Sequence, residues 1–283
     1  MHTGIRALAS AIISLVIHYG DRAVRTLTHS TQDGPLRLLQ ITDCHLFADP
    51  QGAMHGLNTR SSMQKVIDAA AAELDDCHAI LATGDLSQDE SEQAYRDFAS
   101  IMAPFDQPVL SIPGNHDNPA LMRTFLDQGQ FQFCGAATGS NWLIIMLSSH
   151  LSGQTGGALS EQELDRMDTL LGQHPERHAL VCLHHQPVSI GSRWLDGIGL
   201  DNGEEFMRRV HRAGNVRGVV WGHIHQEFQS ENAGVTLLAG PSTCHQFVAA
   251  CDEYGVEKGR SGYRILNLHA NGRIDTRVNW VET

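Results

Sequence analysis

The segment Leu36-Arg37-Leu38-Leu39-Gln40-Ile41-Thr42-Asp43-Cys44-His45 joins an apolar run to two residues that commonly bind metals. The run from Leu36 to Thr42 predicts a buried strand. Side chains alternate between the two faces of a strand, so we expect Asp43 and His45 on one side and Cys44 on the other. Asp43 and His45 can then face one metal ion from the end of this strand.

Four further motifs have the same relation to an apolar run. They are Gly84-Asp85, Gly114-Asn115-His116-Asp117, His184-His185 and Gly222-His223-Ile224-His225. The preceding runs, which predict strands, are Ala79 to Thr83, Val109 to Ile112, Leu180 to Leu183 and Val216 to Trp221. In open α/β sheets, ligand sites collect beyond the carboxyl ends of the strands. The five motifs are therefore expected to form one site.

The rest of the pattern alternates between helix and strand. Predicted helices are Ser61 to Leu74, Glu90 to Met102 and Glu161 to Leu171, the last behind the capping box Ser160-x-x-Glu163. Further predicted strands are Trp142 to Leu147, Gly234 to Ala239, Tyr263 to His269 and Arg273 to Trp280, with Asn271-Gly272 as a tight hairpin turn. This order predicts an α/β fold with a mixed sheet, or with two packed sheets and outer helices.

Composition agrees with a globular enzyme. The chain has 283 residues, of which 41% are hydrophobic and 18% charged. Its formal charge is 20 − 32 = −12 without a Lys/Arg cluster, which argues against a nucleic-acid groove. The six cysteines are scattered and contain no C-x-x-C pair, which argues against a zinc knuckle and a disulfide scaffold. A cytoplasmic location fits this best, and no membrane association is expected.

The N-terminal segment is predicted to be separate from the organised domain. We expect residues 1–35 to form an extension of uncertain structure and residues 36–283 to form the domain. The apolar run from Ala7 to Ile17 is too short to span a bilayer but has the length of a signal-peptide core. No small-residue cleavage site follows it. An export signal, an extra packed helix and a start codon placed too far upstream all remain open.

The residue types in the motifs suit two adjacent metal ions. Asp85 has two oxygens and can bridge two metals, while Asn115 offers a neutral oxygen and His116 a titratable group. Carboxylate, amide and imidazole donors without thiolate favour manganese, iron or zinc over copper(I) or an iron–sulfur cluster. Each motif alone is weak evidence, but five in order behind predicted strands are hard to explain by turns and caps. They indicate a binuclear metal hydrolase.

The ordered set Asp-x-His, Gly-Asp, Gly-Asn-His-Asp, His and Gly-His-x-His resembles the calcineurin-like metallophosphoesterase superfamily. That resemblance implies a two-sheet αββα sandwich with the metal site at the carboxyl ends of the strands. The flanking segments resemble more closely the bacterial class III 3′,5′-cyclic AMP phosphodiesterases, from about Leu36 to Arg277. These segments are Leu39-Gln40-Ile41-Thr42-Asp43, Thr83-Gly84-Asp85-Leu86-Ser87-Gln88-Asp89, Trp194-Leu195-Asp196, Gly222-His223-Ile224-His225-Gln226-Glu227 and Pro241-Ser242-Thr243-Cys244.

The resemblance implies a ligand set for each metal. The first metal would be held by Asp43, His45, Asp85 and His225, and the second by Asp85, Asn115, His184 and His223. His184 is chosen over His185 because it immediately follows the run Leu180 to Leu183, where the family's ligand histidine lies. Gln186 stands where the family usually has proline, so the local turn is expected to differ slightly.

The resemblance also implies the reaction. A hydroxide bridging two divalent ions, Fe²⁺ or Mn²⁺ with Zn²⁺ as a further candidate, would attack the phosphorus of 3′,5′-cyclic AMP in line and give 5′-AMP. His116 would protonate or stabilise the leaving oxygen, with Asp117 as its orienting partner. Predicted substrate contacts are His116, Asn115, Asn58, Thr59, Ser242 and Thr243, with Trp194 as a further candidate for base selectivity.

Two other functions remain open. The same metals can serve a related hydrolase acting on a 2′,3′-cyclic nucleotide, a phospholipid head group or a phosphoprotein. A metal-binding scaffold without turnover is the other alternative, although no ligand position is missing here. A serine or cysteine nucleophile lacks a motif such as G-x-S-x-G.

Overall fold

Two β-sheets pack face to face and carry helices on their outer sides. The computed structural model describes residues 17–19, 22–28, 34–257 and 259–283. The strands in chain order are β1 (Ile17–Tyr19), β2 (Arg22–Thr26), β3 (Leu36–Ile41), β4 (Ala53–Met54), β5 (Leu57–Asn58), β6 (Ala79–Ala82), β7 (Val109–Ser111), β8 (Phe131–Phe133), β9 (Gly135–Gly139), β10 (Trp142–Met146), β11 (His178–Cys182), β12 (Val216–Trp221), β13 (Phe228–Asn232), β14 (Val235–Ala239), β15 (Gln246–Phe247), β16 (Val256–Glu257), β17 (Arg260–Leu268) and β18 (Ile274–Glu282). The helices are α1 (Thr59–Leu74), α2 (Glu92–Met102), α3 (Pro119–Phe125), α4 (Glu161–Gln173), α5 (Arg193–Asp196) and α6 (Gly203–Ala213).

The six-stranded sheet has the order β18-β17-β3-β6-β7-β8. Its strands β3, β6, β7 and β8 run parallel, whereas β17 is antiparallel to both β3 and β18. Because parallel strands end at the same edge, the segments that follow β3, β6 and β7 all emerge there. These segments carry the first three motifs.

The eight-stranded sheet has the order β1-β2-β9-β10-β11-β12-β14-β13. Strands β10, β11, β12 and β14 form its parallel centre. The segments after β11 and β12 carry the two histidine motifs and leave the sheet at its carboxyl edge. The two sheets therefore bring different motifs toward one site.

Strand β10 contributes side chains to two apolar cores, one on each of its faces. Trp142 and Ile144 belong to the larger apolar cluster, which also contains residues of β3, α1 and α2. The alternate residues Leu143 and Ile145 belong to the second cluster, with residues of α4 and α6. Since neighbouring side chains of a strand face opposite sides, β10 separates a core between the sheets from a core under the outer helices. The predicted αββα sandwich is confirmed.

Most sequence-predicted elements are present with shifts of one or two residues at their ends. Strand β3 covers all of the predicted run except Thr42, and β12 matches its run completely. The cap of α4 forms as expected, because Ser160 accepts a hydrogen bond from the amide of Glu163. The Glu163 carboxylate instead accepts hydrogen bonds from the Ser148 amide and from Arg166, so it ties the helix to the end of β10.

The N-terminal segment contributes to the larger sheet. Strand β2 pairs in parallel with β9, and β1 pairs with β2. Val24 and Leu27 are buried. The predicted domain boundary at residue 36 remains a prediction. Of the apolar run from Ala7 to Ile17, only Ile17 lies within the described residues. Within the part of the chain that is described, no helix is long and apolar enough to cross a membrane.

Candidate metal centre

Backbone hydrogen bonds hold the motif segments against each other. The amides of Asp43 and His45 donate to the carbonyls of Gly84 and Asp85, each over 2.9 Å. Between the two sheets, the amide of His223 donates to both carboxylate oxygens of Asp43 at 3.1 Å. The site is therefore fixed by the fold before any ligand enters.

Glycine is required where two motif segments approach closely. Gly84 has a φ of +99°, and a Cβ there would lie 2.4 Å from Nδ1 of His184. A Cβ at Gly222 would lie 2.1 Å from Oγ1 of Thr42. Glycine alone lets the backbone approach this closely at both positions.

Several motif residues adopt a strained backbone conformation. Five of them have left-handed φ values, namely Asp43 (54°), His45 (49°), Asp85 (51°), His223 (67°) and His225 (45°). A non-glycine residue in this region costs of order 1–3 kcal/mol. Such strain persists only where the surrounding structure imposes it, and it clusters at functional sites.

The first cluster contains Asp43, His45 and His225, all buried. Nε2 of His225 lies 3.3 Å from Oδ1 of Asp43 and 3.0 Å from Nε2 of His45. Nδ1 of His45 donates to Oε1 of Gln88 at 2.7 Å, and Nδ1 of His225 donates to the carbonyl of His245 at 2.9 Å. In the neutral rings, both Nε2 atoms therefore present lone pairs to the cluster.

The second cluster consists of His184, His185 and His223, and Asp85 connects it to the first. Oδ2 of Asp85 lies 3.4 Å from Nε2 of His184 and 3.8 Å from Nε2 of His45. His184 donates through Nδ1 to the carbonyl of Thr83 at 2.7 Å, which directs its Nε2 toward Asp85. His223 uses Nε2 for the carbonyl of Ile198 at 3.0 Å, which leaves Nδ1 with the lone pair.

Most protonation states in the clusters suit metal ligands. Burial lowers the pKa of His45 to about 4 and that of His223 to about 3. Burial opposes ionisation of Asp85, but His184 and His45 outweigh it and hold the pKa of this carboxyl well below its usual range. Metal ions bind neutral imidazole and ionised carboxylate. The exception is His184: burial opposes its protonation, but Asp85 and Asp43 outweigh burial and raise its pKa to about 9, so a bound metal ion would have to displace this proton.

Among the described residues, several buried polar atoms have no hydrogen-bond partner, and two of them belong to proposed ligands. These two are Nε2 of His184 and Oδ1 of Asn115. A buried polar atom without a partner costs about 1–3 kcal/mol unless a ligand satisfies it. The nitrogen and oxygen donors, without a thiolate, therefore fit divalent metal ions.

His185 is held in a different way from His184. Its Nδ1 lies 2.8 Å from Oγ of Ser149, and its Nε2 donates to the carbonyl of Thr155 at 3.3 Å. Its ring also lies 4.6 Å from that of His223. Both ring nitrogens of His185 bond to groups that are not proposed ligands, whereas Nε2 of His184 faces the carboxylate of Asp85 at 3.4 Å.

His116 and Asp117 have contacts that the sequence did not predict. The Asp117 carboxylate accepts hydrogen bonds from the amides of Leu86, Ser87 and Gly114 and from the Tyr95 hydroxyl. These bonds connect the Asp117 carboxylate to the backbone of two loops, and its predicted role as the orienting partner of His116 stays a prediction. Nε2 of Gln88 lies 3.3 Å from Nδ1 of His116.

A cavity of about 210 Å³ opens onto the clusters. Its lining comprises His45, Met54, Asp85, Asn115, His116, Thr155, Trp194, Leu195, Ile198, His223, His225, His245, Phe247 and Tyr254. Trp194 is thus at the cavity, in agreement with the sequence prediction.

Four predicted substrate contacts lie elsewhere. Asn58 caps helix α1 by accepting from the amide of Ser61, and Thr59 is buried at the start of that helix. Ser242 donates to the carbonyl of Asp43, and Thr243 is buried beside it. These four side chains support the framework instead of lining the cavity.

Sequence reasoning missed Gln88, Met54, His245, Phe247 and Tyr254. Gln88 lies within a quoted flanking segment, and its proximity to the Gly84-Asp85 motif was an available signal. The other four lie on loops or short strands whose route to the cavity no local pattern indicates.

The fold and the site define a class of protein. A family model described as Calcineurin-like phosphoesterase matches residues 36–227, and the chain belongs to this family. Among curated proteins, it is 38% identical to the 3′,5′-cyclic adenosine monophosphate phosphodiesterase CpdA of Haemophilus influenzae, over 91% of this chain and 94% of that protein. It is 40% identical to the protein of the same name from Escherichia coli K12, over 86% of this chain and 89% of that protein.

Solved structures agree on the fold. A dimetal phosphatase from Danio rerio superposes with a TM-score of 0.61 at 13% identity, covering 86% of this chain and 98% of that chain. GAP50 of Plasmodium superposes with a TM-score of 0.59 at 11% identity, covering 88% and 85% of the two chains. At these identities, the likeness concerns the fold alone.

Proposed function

We propose that this protein hydrolyses 3′,5′-cyclic AMP to 5′-AMP in a reaction that depends on two divalent metal ions. The observation that carries the reaction class is the convergence of lone-pair donors from both sheets on one cavity. Support for the substrate comes from curated relatives with identities of 38% and 40% that are named as 3′,5′-cyclic AMP phosphodiesterases.

The proposed ligands follow the two clusters. Asp43, His45, Asp85 and His225 would hold the first ion, and Asp85, Asn115, His184 and His223 the second. The choice of His184 over His185 is supported by the position of its Nε2, which lies 3.4 Å from the proposed shared ligand Asp85, whereas both nitrogens of His185 bond to Ser149 and Thr155. Fe²⁺ and Mn²⁺ are the proposed ions, with Zn²⁺ as a further candidate, and elemental analysis of protein purified without added metal tests this.

When bound, such ions lower the pKa of a coordinated water and neutralise charge on the phosphoryl oxygens. The protein supplies orientation and a proton. His116 lines the same cavity as Asp85 and His45, so its ring can donate to the leaving 3′-oxygen as the P–O bond breaks. Gln88 contacts both His45 and His116 and therefore holds a proposed ligand and the proposed acid in one arrangement.

Substrate profiling tests the proposal. Purified protein would be assayed with Mn²⁺ or Fe²⁺ on 3′,5′-cyclic AMP, 2′,3′-cyclic AMP and bis(p-nitrophenyl) phosphate. A preference for 3′,5′-cyclic AMP that is lost on chelation is the expected result. Hydrolysis of the p-nitrophenyl diester without 3′,5′-cyclic AMP turnover would retain the metal-dependent chemistry and refute the substrate.

We also propose a cytoplasmic location. Cys44, Cys77, Cys182, Cys244 and Cys251 are free thiols, and the two closest to the site, Cys44 and Cys244, are buried. This state suits a reducing compartment. Fractionation of cells that express the tagged chain tests the location, and recovery in an extracytoplasmic fraction would contradict it.

A further inference from the structure

His245 lies on a rigid loop beside the candidate metal centre. The loop is fixed by Ser242, whose hydroxyl accepts from the Cys244 amide at 2.8 Å, and by Gln246, whose side chain bonds to both the amide and the carbonyl of Ser242. The His245 carbonyl accepts the hydrogen bond from Nδ1 of His225. The backbone of His245 therefore holds the proposed ligand His225 in place, and the His245 side chain takes no part in that contact.

The His245 side chain is buried but incompletely bonded. It is 4% exposed, and its Nδ1 lies 3.3 Å from Sγ of Cys244. Its Nε2 has no hydrogen-bond partner among the described residues. In a neutral ring, Nε2 offers one hydrogen or one lone pair. A buried imidazole nitrogen of this kind needs a partner from outside the protein.

His245 and Met54 line two cavities at once. One is the cavity of about 210 Å³ at the metal centre, and the other is an adjoining cavity of about 300 Å³. The second is lined also by His55, Leu57, Val256 and Arg260, among others. Ligand pockets for small molecules usually measure about 300–1,000 Å³, so the first cavity alone is small for a whole nucleotide. The second cavity provides room for the part that extends away from the phosphate.

From this geometry we propose that His245 is a specificity-determining residue that hydrogen-bonds through Nε2 to the nucleobase of the cyclic nucleotide. This inference rests on the proposed function. With the phosphate at the proposed metal centre, beside Asp85 and His116, the base passes Met54 and enters the adjoining cavity. Met54 packs on the face of the base, because an unbranched thioether adapts to a flat aromatic surface. A purine edge carries both ring nitrogens and an exocyclic group, so it can complement a neutral imidazole nitrogen.

Two substitutions separate this role from a structural one. Glutamine can place a polar atom near the position of the histidine Nε2, and asparagine near that of Nδ1. His245→Gln therefore keeps the proposed contact with the base, whereas His245→Asn keeps only the contact with Cys244. The readouts are KM and kcat for 3′,5′-cyclic AMP, the same constants for bis(p-nitrophenyl) phosphate, and the inhibition constant of 5′-AMP measured against the latter.

The expected result is a selective loss in the asparagine variant. The ratio of kcat/KM for 3′,5′-cyclic AMP to that for bis(p-nitrophenyl) phosphate should fall about tenfold in His245→Asn, mainly through KM, and less than about threefold in His245→Gln. The inhibition constant of 5′-AMP should rise in parallel with KM. Thermal unfolding of both variants shows whether the fold is intact.

Other outcomes overturn the inference. A parallel loss on both substrates would mean that His245 acts through His225, and retention in the asparagine variant with loss in the glutamine variant would assign a structural role. Unchanged ratios in both variants would place the base elsewhere, for example in the polar groove lined by His150 and Gln154. If the wild-type protein hydrolyses bis(p-nitrophenyl) phosphate but not 3′,5′-cyclic AMP, the proposed function fails and the inference fails with it.

Discussion

The Nε2 atoms of His45 and His225 lie 3.0 Å apart although the residues are 180 positions apart in the chain. Each ring directs Nδ1 to a protein oxygen, so in the neutral rings the two Nε2 lone pairs face each other at this distance. Two lone pairs repel unless a cation lies beside them. Two separate hydrogen bonds hold the two rings in this contact, so the site is preorganised for a metal ion.

Asp85→Ala is expected to remove metal and activity together. Oδ2 of Asp85 is within 3.8 Å of histidines from both clusters, so the substitution weakens both proposed ion sites. Loss of a group that only orients a ligand costs about 10- to 100-fold, and loss of a shared ligand should cost more. Elemental analysis and kcat/KM measure the effect. Retention of two ions at normal affinity would contradict the role.

His184→Ala and His185→Ala form a matched pair. We expect the first variant to lose one of two bound ions and the second to retain both, because Nε2 of His184 faces Asp85 whereas both ring nitrogens of His185 bond to Ser149 and Thr155. Metal stoichiometry after dialysis is the measurement. The reverse pattern would move the ligand assignment to His185.

Gln88→Leu is expected to weaken metal binding although Gln88 is not itself a proposed ligand. The substitution removes the acceptor that holds Nδ1 of His45, and losing such a group costs about 10- to 100-fold in affinity or activity. Gln88→Glu is the control, because it retains an acceptor for His45 but not the amide that contacts His116. Competition with a metal indicator gives the affinities. Equal affinities in the leucine variant and the wild type would refute this.

His116→Ala is expected to keep both ions but to lower kcat for 3′,5′-cyclic AMP by about 100-fold or more. The loss should be smaller with bis(p-nitrophenyl) phosphate, since p-nitrophenolate is a stable leaving group that requires no proton. Measuring kcat for both substrates at the same metal content tests the role. An equal loss on both substrates would argue against proton donation.

Chelation should lower thermal stability. Ions that bind only the folded state stabilise it by mass action, and the folded protein keeps Asp43 and Asp85 close together in a buried site. We expect Tm to fall by about 5 °C or more on removal of metal and to recover with Mn²⁺. Scanning calorimetry with and without chelator measures this. An unchanged Tm would mean that the ions contribute nothing to folding.

The sequence predicted the elements that carry the motifs because an apolar run and the polar residues behind it are local signals. Strands β3 and β12 are the clearest cases. The sequence could not predict the backbone contacts of Asp117, since its carboxylate is held by amides about 30 positions away in the chain. It also missed His245, whose place beside the cavity depends on how β14 is joined to β15.

The division of the donors between the two sheets has a consequence for folding. Asp43, Asp85 and Asn115 follow strands of the six-stranded sheet, whereas His184, His223 and His225 follow strands of the eight-stranded sheet. Neither sheet alone contains a complete proposed ligand set. An ion can therefore reach full coordination only after the two sheets have packed together. The fraction of protein that binds metal then measures how much of it has assembled both sheets.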